Sequence, residues 1–289
     1  MPELPEVETV RRGLQPVLEG HRILYAETRR ADLRVPFSAN FAARLKGRRV
    51  TRLRRRAKYL LAEMDNGETL VVHLGMSGRM SVHIPETRRE LRLHGFEAVR
   101  GVASGSHDHV VMETDAPAQI VFTDPRRFGL MVLIDTEFLG AHPLFAALGP
   151  EPLSRKLNAA YLEAVFKTKK TPIKSALLDQ RVIAGVGNIY ACEALFRAGI
   201  SPKRLAMNVR LKSLDALAIS IQAVLRDAIA AGGSSLRDYK RVNGELGHFQ
   251  HNFSVYGREG RPCPAGCGGT VKRIVQAGRS TFYCPSCQR

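Results

Sequence analysis

The sequence predicts an α+β chain of two domains, and three observations carry that prediction. Short stretches of alternating apolar and polar residues, separated by turn signals, occupy residues 21–135, the pattern of strands in a sandwich or barrel. Beyond a Pro- and Gly-punctuated stretch the spacing of apolar residues changes to that of helices. Four of the five cysteines fall within the last 27 residues.

The first element is helical. Val7, Val10, Leu14 and Val17 recur at helical spacing with Arg11 and Arg12 on the far side. Glu3, Glu6 and Glu8 crowd its start, where the helix dipole favours acids, and Pro16 must end or bend it. Residues 59–64 and 69–74 flank Asp65-Asn66-Gly67-Glu68, a hairpin signal with Asn-Gly at its centre. Strands are also expected at 110–113, 119–123 and 130–134. The basic stretch 86–106 has no periodicity and reads as an extended surface loop. Pro143, Gly149, Pro150 and Pro152 mark a linker at 136–152. Helices follow at 161–167, 174–180, 188–198 and 211–231, the last carrying Leu214, Leu217, Ile221, Val224 and Leu225 on one face and ending at Gly232-Gly233. A polar segment, 234–252, leads to the tail. The expected domains are therefore 1–135, 153–259 and a small module at 260–289, joined by the linker.

A chain of 289 residues, 44% hydrophobic and 25% charged, is long enough for two ordinary cores. No apolar run approaches the roughly 20 residues that span a bilayer, and the early acids exclude a signal peptide. The expected location is the cytoplasm, in association with the nucleoid, and the expected state is a monomer without membrane contact. Lys and Arg total 44 against 27 acids, a net charge of +17, which points to a polyanionic partner. The bases cluster at 48–58, 167–174 and 237–241, which favours nucleic acid over an anionic membrane surface.

Cys263-x3-Cys267-x16-Cys284-x2-Cys287 gives two close pairs of thiols that can reach one ion, and four thiolates suit a tetrahedral zinc. With all four positions filled by protein, one Zn²⁺ here is structural. Cys192, alone in a helix, reads as a small buried residue. Between the pairs, residues 272–282 read as two strands around a Gln276-Ala277-Gly278 turn with Arg279 beside the tip. Upstream, two helices flank the glycine-rich Gly185-Val186-Gly187, with Asn188 placed to cap the second helix and Lys174 nearby. Amides at such a turn can hold an anion.

At the N-terminus, removal of Met1 before a small residue would leave Pro2 with a free secondary amine. An N-terminal amine has a reference pKa of ~8, and nearby cations and a helix start favour its neutral, nucleophilic form. Glu3 is a candidate proton shuttle with Glu6 one helical turn away. On residues alone, a proline-rich helix start with dipole-compensating acids explains the same pattern.

Motifs decide between those readings. Met1-Pro2-Glu3-Leu4-Pro5-Glu6-Val7-Glu8-Thr9-Val10 closely resembles the opening of the bacterial formamidopyrimidine-DNA glycosylases. His73-Leu74-Gly75-Met76-Ser77-Gly78, Asp124-Pro125-Arg126-Arg127-Phe128-Gly129, Gly185-Val186-Gly187-Asn188-Ile189-Tyr190 and Gly278-Arg279-Ser280-Thr281-Phe282-Tyr283-Cys284 resemble later blocks of that family, in its order. Leu4 stands where the related endonuclease VIII branch typically has Gly.

The resemblance implies an N-terminal β-sandwich with a leading helix, a helix-two-turn-helix domain and a zinc-finger β-hairpin. It implies removal of 8-oxoguanine and formamidopyrimidines from duplex DNA, followed by strand cleavage at the abasic site through β,δ-elimination. By matching positions, Pro2 is the Schiff-base nucleophile, Glu3 the general acid/base with Glu6 in support, and Lys58 a proton-transfer and phosphate-binding lysine. Met76, Arg126 and Phe128 resemble the trio that fills the gap left by a flipped nucleotide. His73, Lys174, Asn188 and Arg279 match phosphate contacts, Arg279 also belonging with the catalytic set, and 234–252 corresponds to a loop over the lesion. The chain departs from the family in the length of 86–106, in the three residues between Cys263 and Cys267, and in 236–249. The competing readings are a glycosylase for oxidised pyrimidines and a non-catalytic zinc-finger protein that binds damaged DNA.

Overall fold

The computed structural model describes residues 1–84, 99–100, 105–234 and 247–289. Their contacts divide the chain into two compact units: Met1–Ala146 with Ala231–His248, and Ala147–Ala230 with Phe249–Arg289. Segment Ala231–His248 thus groups with the first unit, although the sequence reading places it in the second domain. A buried contact, described below, joins its Ser234 to the leading helix.

That helix, α1 (Leu4–Leu18), buries Leu4, Val7, Val10, Leu14 and Val17 along one stripe. Pro5 sits in the first turn, where a missing N–H leaves nothing unsatisfied. Pro16, expected to end or bend the helix, lets it run two residues further. Its fixed φ is helical, and the one bond it removes lies in the last turn.

The first unit holds two sheets. One is four-stranded and antiparallel, in the order β2 (Val50–Arg56), β3 (Tyr59–Met64), β4 (Glu68–His73), β9 (Leu130–Asp135). The other runs β1 (Ile23–Thr28), β7 (Asp108–Thr114), β8 (Ala118–Thr123), β5 (Arg79–Ile84), β6 (Val99–Arg100), with only β5 and β6 parallel. Alternation sorts the faces: Leu60, Ala62, Leu70 and Val72 of one sheet share a single core with Val82, Val110, Met112, Ile120 and Phe122 of the other, and with Val10 and Leu14 of α1. This is the expected sandwich with its leading helix. Gly67 takes the left-handed conformation in the predicted β3–β4 hairpin, as its turn demands. The stretch 86–106, expected as a surface loop, contributes β6; most of its other residues lie outside the described ones. A short helix, α2 (Phe41–Leu45), was not legible in the sequence.

The second unit contains α3 (Ala159–Phe166), capped by the Asn158 side chain on the Tyr161 N–H, α4 (Ile173–Leu178), α5 (Asn188–Arg197) and the long α6 (Leu211–Ala230). It ends in the hairpin β10 (Lys272–Gln276) and β11 (Arg279–Tyr283). Cys192 is buried against Val255 and Val271, as expected of a small apolar residue. Phe249, read as part of a polar loop, is also buried. It starts a run of ring contacts, Phe249–Phe253–Tyr256–Phe282, at 5.0–5.7 Å between centroids, that reaches the hairpin.

Candidate active site and nucleic-acid interface

The start of α1 is built as a reciprocal cap. Glu3 is the N-cap residue; its side chain accepts the Glu6 N–H, and Glu6 Oε2 accepts the Glu3 N–H at 2.8 Å. Both carboxylates are almost fully buried, as is Pro2. Glu6 is shared: its Oε1 accepts both the N–H (2.9 Å) and the hydroxyl (3.0 Å) of Ser234. Burying a carboxylate is costly unless hydrogen bonds replace water. Here at least three donors do so, and they brace the chain immediately after Pro2. Glu8, on the same helix, is pulled up by burial but held below the usual carboxylate range by Arg11, Arg12 and Arg55.

Lys58 lies in the same unit, 7% exposed, on the two-residue turn that joins β2 to β3. The turn residue before it, Ala57, adopts the left-handed conformation (φ 53°). Across the sheet, His73 pairs with Tyr59 and lies tilted against its ring, 4.9 Å between centroids. Burial, then the nearby charges of Lys58 and Arg34, push the His73 imidazole down to about 4. Its Nδ1 accepts the Gly75 N–H at 3.0 Å, so the neutral ring carries its proton on Nε2.

Two loops present the expected trio. Met76 is 39% and Phe128 45% exposed, and the Arg126 guanidinium lies over the Phe128 ring at 5.1 Å. A hydrogen-bonded scaffold beneath the two loops holds these side chains out. Asp124, fully buried, accepts from the Ser77 hydroxyl (2.6 Å) and from the Gly129 N–H (2.8 Å), while Ser77 Oγ accepts the Arg126 N–H (3.2 Å). Gly75 is left-handed, and a Cβ on it would overlap the backbone of Phe128 and Gly129. Sequence reasoning assigned Asp124 and Ser77 no role; their place inside two of the quoted motifs was the available signal.

In the second unit, Arg279 is exposed, opposite Gln276 across a two-residue turn in which Ala277 and Gly278 are both left-handed. Lys174 corrects the sequence reading. It is fully buried, and its Nζ donates to Thr281 Oγ1 (2.6 Å) and to the Ser280 carbonyl (3.2 Å). A side chain so enclosed is a strut under the hairpin, and a phosphate contact is not open to it. Asn188 is also corrected: Gly187 is the N-cap of α5, and the Asn188 amide donates instead to the Ser280 carbonyl (2.9 Å) and the Tyr256 hydroxyl (3.3 Å). Glu193, another residue the sequence did not single out, is fully buried and accepts the N–H groups of Ser254, Val255 and Tyr256 at 2.8–2.9 Å. It fixes the segment that leads into the hairpin.

Cys263, Cys267, Cys284 and Cys287 converge. Their sulfurs lie within 4.8 Å of one another, with the 263–287 and 267–284 pairs at 3.6 Å. A tetrahedral zinc with Zn–S bonds of about 2.3 Å places its sulfurs about 3.8 Å apart, so the four fit one ion. The crowding splits the thiols: bonding with Cys287 holds Cys267 down at about 7, and the reverse contact pushes Cys287 up. A dication shared by all four resolves that conflict by ionising them together. The cofactor is one structural zinc.

The chain matches three family descriptions in succession: formamidopyrimidine-DNA glycosylase N-terminal domain over residues 1–131, formamidopyrimidine-DNA glycosylase H2TH domain over 148–240, and zinc finger found in FPG and IleRS over 260–289. Curated formamidopyrimidine-DNA glycosylases of Dinoroseobacter shibae and Cereibacter sphaeroides are each 56% identical to it, over the whole of both chains. Among solved structures, the Lactococcus lactis Fpg bound to DNA containing an abasic site superposes with a TM-score of 0.86 at 32% identity, covering all of both chains. The MutM (FPG) protein of Thermus thermophilus gives 0.84 at 38% identity, covering 99% of this chain and 98% of that one. Three modules matched in order, from the first residue to the last, leave one conclusion: this chain belongs to the formamidopyrimidine-DNA glycosylase family.

Proposed function

We propose that the chain is a bifunctional DNA glycosylase and abasic-site lyase that excises oxidised purines, 8-oxoguanine and formamidopyrimidines, from duplex DNA. The observation that carries this reading is the full-length 56% identity to curated enzymes of that name. The buried acid pair beside Pro2 supports it. We also propose the domain limits 1–135, 136–152, 153–259 and 260–289, action as a monomer, and a cytoplasmic, nucleoid-associated location. Among the described residues no helix is long and apolar enough to cross a membrane.

Once Met1 is cleaved, the Pro2 amine attacks C1′ of the damaged nucleotide and the base departs. Glu3 moves the protons of ring opening and Schiff-base formation, and Glu6 holds it in place. Lys58 assists proton transfer and binds phosphate. The iminium acidifies the C2′ proton, and successive β- and δ-elimination release the two phosphates. Met76, Arg126 and Phe128 occupy the space of the extruded nucleotide. His73, Asn188 and Arg279 serve the phosphates, and Lys174 positions the strand that carries Arg279.

Borohydride trapping on 8-oxoguanine duplex tests the chemistry, because only an amine lyase forms a reducible adduct. Mature protein is expected to trap, Pro2→Gly to trap far less, and protein retaining Met1 not at all. Equal trapping with Met1 retained would overturn the Pro2 assignment. Preference for thymine glycol over 8-oxoguanine would favour the pyrimidine-specific alternative.

A further inference from the structure

Several arginines of the first unit are paired with acids. Arg11 and Arg12 sit on Glu8, Arg44 on Glu68, Arg54 on Glu63, Arg30 on Asp32. A groove of about 410 Å³ lined by Arg11, Arg52, Arg54 and Arg55 also contains Glu8 and Glu19. Its cations are largely neutralised internally, so it holds little attraction for an anion.

The second unit carries a groove of the opposite kind. It is a shallow, open depression of about 740 Å³ lined by Ser201, Lys203, Arg204, Leu205, Asn208, Arg210 and Ser213. No carboxylate side chain lines it; the nearest acidic side chain along the chain is the exposed Asp215, and the main-chain carboxyl of Arg289 accepts the Ser201 N–H at 3.0 Å. Lys203 lies over the Tyr283 ring at 5.8 Å, while Arg204 and Arg210 make no ion pair with an acidic side chain among the described residues. Cations converging on one concave surface repel one another, a cost that an anionic ligand removes. Ser201, Asn208 and Ser213 add short hydroxyl and amide groups. Arginine and lysine with serine and asparagine is the set that contacts phosphate and sugar in protein–DNA interfaces, fixing position without reading sequence. The apolar anchors that would hold a peptide are missing, Leu205 alone excepted.

We propose that the groove of Arg204 and Arg210 is a second phosphodiester-binding site, taking DNA backbone that lies outside the lesion-containing segment. The inference rests on the DNA-repair reading above, and it assigns these residues a part in holding DNA but none in the chemistry. The backbone can belong to the flank of the damaged duplex or to another duplex, and the chemistry of recognition is the same for both.

The test uses the zinc-loaded full chain and the double variant Arg204→Gln/Arg210→Gln, which leaves Lys203 on its ring. Dissociation constants are measured against salt for three probes: an abasic-site duplex just long enough for the lesion segment, the same site in a duplex several turns longer, and the short duplex with undamaged DNA added. For the variant, trapping and affinity on the short duplex should match wild type. On the longer duplex its log–log salt slope should flatten by about 2, at about 0.9 per phosphate lost, with affinity about tenfold lower at low salt. If that loss appears only with added undamaged DNA, the groove holds a separate duplex. Arg204→Lys/Arg210→Lys should recover most of the loss. Unchanged affinity and slope on all probes, or equal loss on the short duplex, overturns the proposal. Wild type that fails to trap would instead sink the functional reading, and binding of undamaged DNA still reports on the groove.

Discussion

His73 illustrates how one side chain is tuned by its surroundings. Its imidazole titrates near 4 in the folded chain against 6.5 when free, so between those values the unfolded chain binds a proton that the folded chain refuses. Stability is then complete above pH 6.5 and lost as pH falls toward 4. Denaturant titrations across that window should show the loss shrinking in His73→Gln by up to ~3 kcal/mol, at 1.36 kcal/mol per pKa unit. An identical acid slope in both proteins would mean that His73 titrates as a free histidine. Residues of this kind were legible as motif positions, because Pro2, Glu3, His73 and Arg279 stand in short blocks of fixed order. Lys174 was misread because a lysine beside a glycine-rich turn looks like an anion ligand. Its burial is decided by Thr281, 107 positions later, and no local pattern carries that information.

At the scale of elements, the two loops that hold Met76 and Phe128 work as one body. The buried Asp124 ties them together, and Gly75 lets their backbones touch. Met76→Ala should therefore cripple excision from duplex DNA by a few kcal/mol of barrier, the scale of unstacking a base, and spare cleavage of a preformed abasic site. Gly75→Ala should reproduce that pattern with a lowered Tm as well, because a left-handed alanine alone costs about 1 kcal/mol before any backbone overlap. Single-turnover rates on the two substrates separate the cases, and equal loss on both by Met76→Ala would refute a wedge role. Long alternations and the Asn66-Gly67 turn made most strands visible in advance. Strands β1, β2 and β5 were not marked individually, β2 because four arginines obscure its alternation, and the two-residue β6 and five-residue α2 stayed hidden because neither spans enough sequence to show a period.

For the whole molecule, the separate cores imply separate responses to metal loss. Zinc binding by four thiolates can contribute ~10 kcal/mol or more to a small module, and the β10–β11 hairpin has only a thin apolar core to replace it. Chelation, or Cys284→Ser, should unfold the segment around 263–287, leave the melting of the sandwich unit unchanged, and abolish tight binding of abasic-site DNA. Amide exchange resolved by segment would check this; protection lost equally in both units would contradict it. Two domains with a metal-bound tail were readable from periodicity and cysteine spacing. That Ala231–His248 belongs with the first unit was not, because the evidence for it is a bond between positions 228 apart.

That bond also bears on the order of events during synthesis. The first 146 residues are made before Ser234, which supplies two of the donors that reach Glu6 in the folded chain. Until it arrives those two hydrogen bonds cannot form, so the start of α1 is expected to be held less firmly in the nascent chain. The end proposed to carry the chemistry is the first part made, and two of the hydrogen bonds that fasten it wait for a residue made near the last.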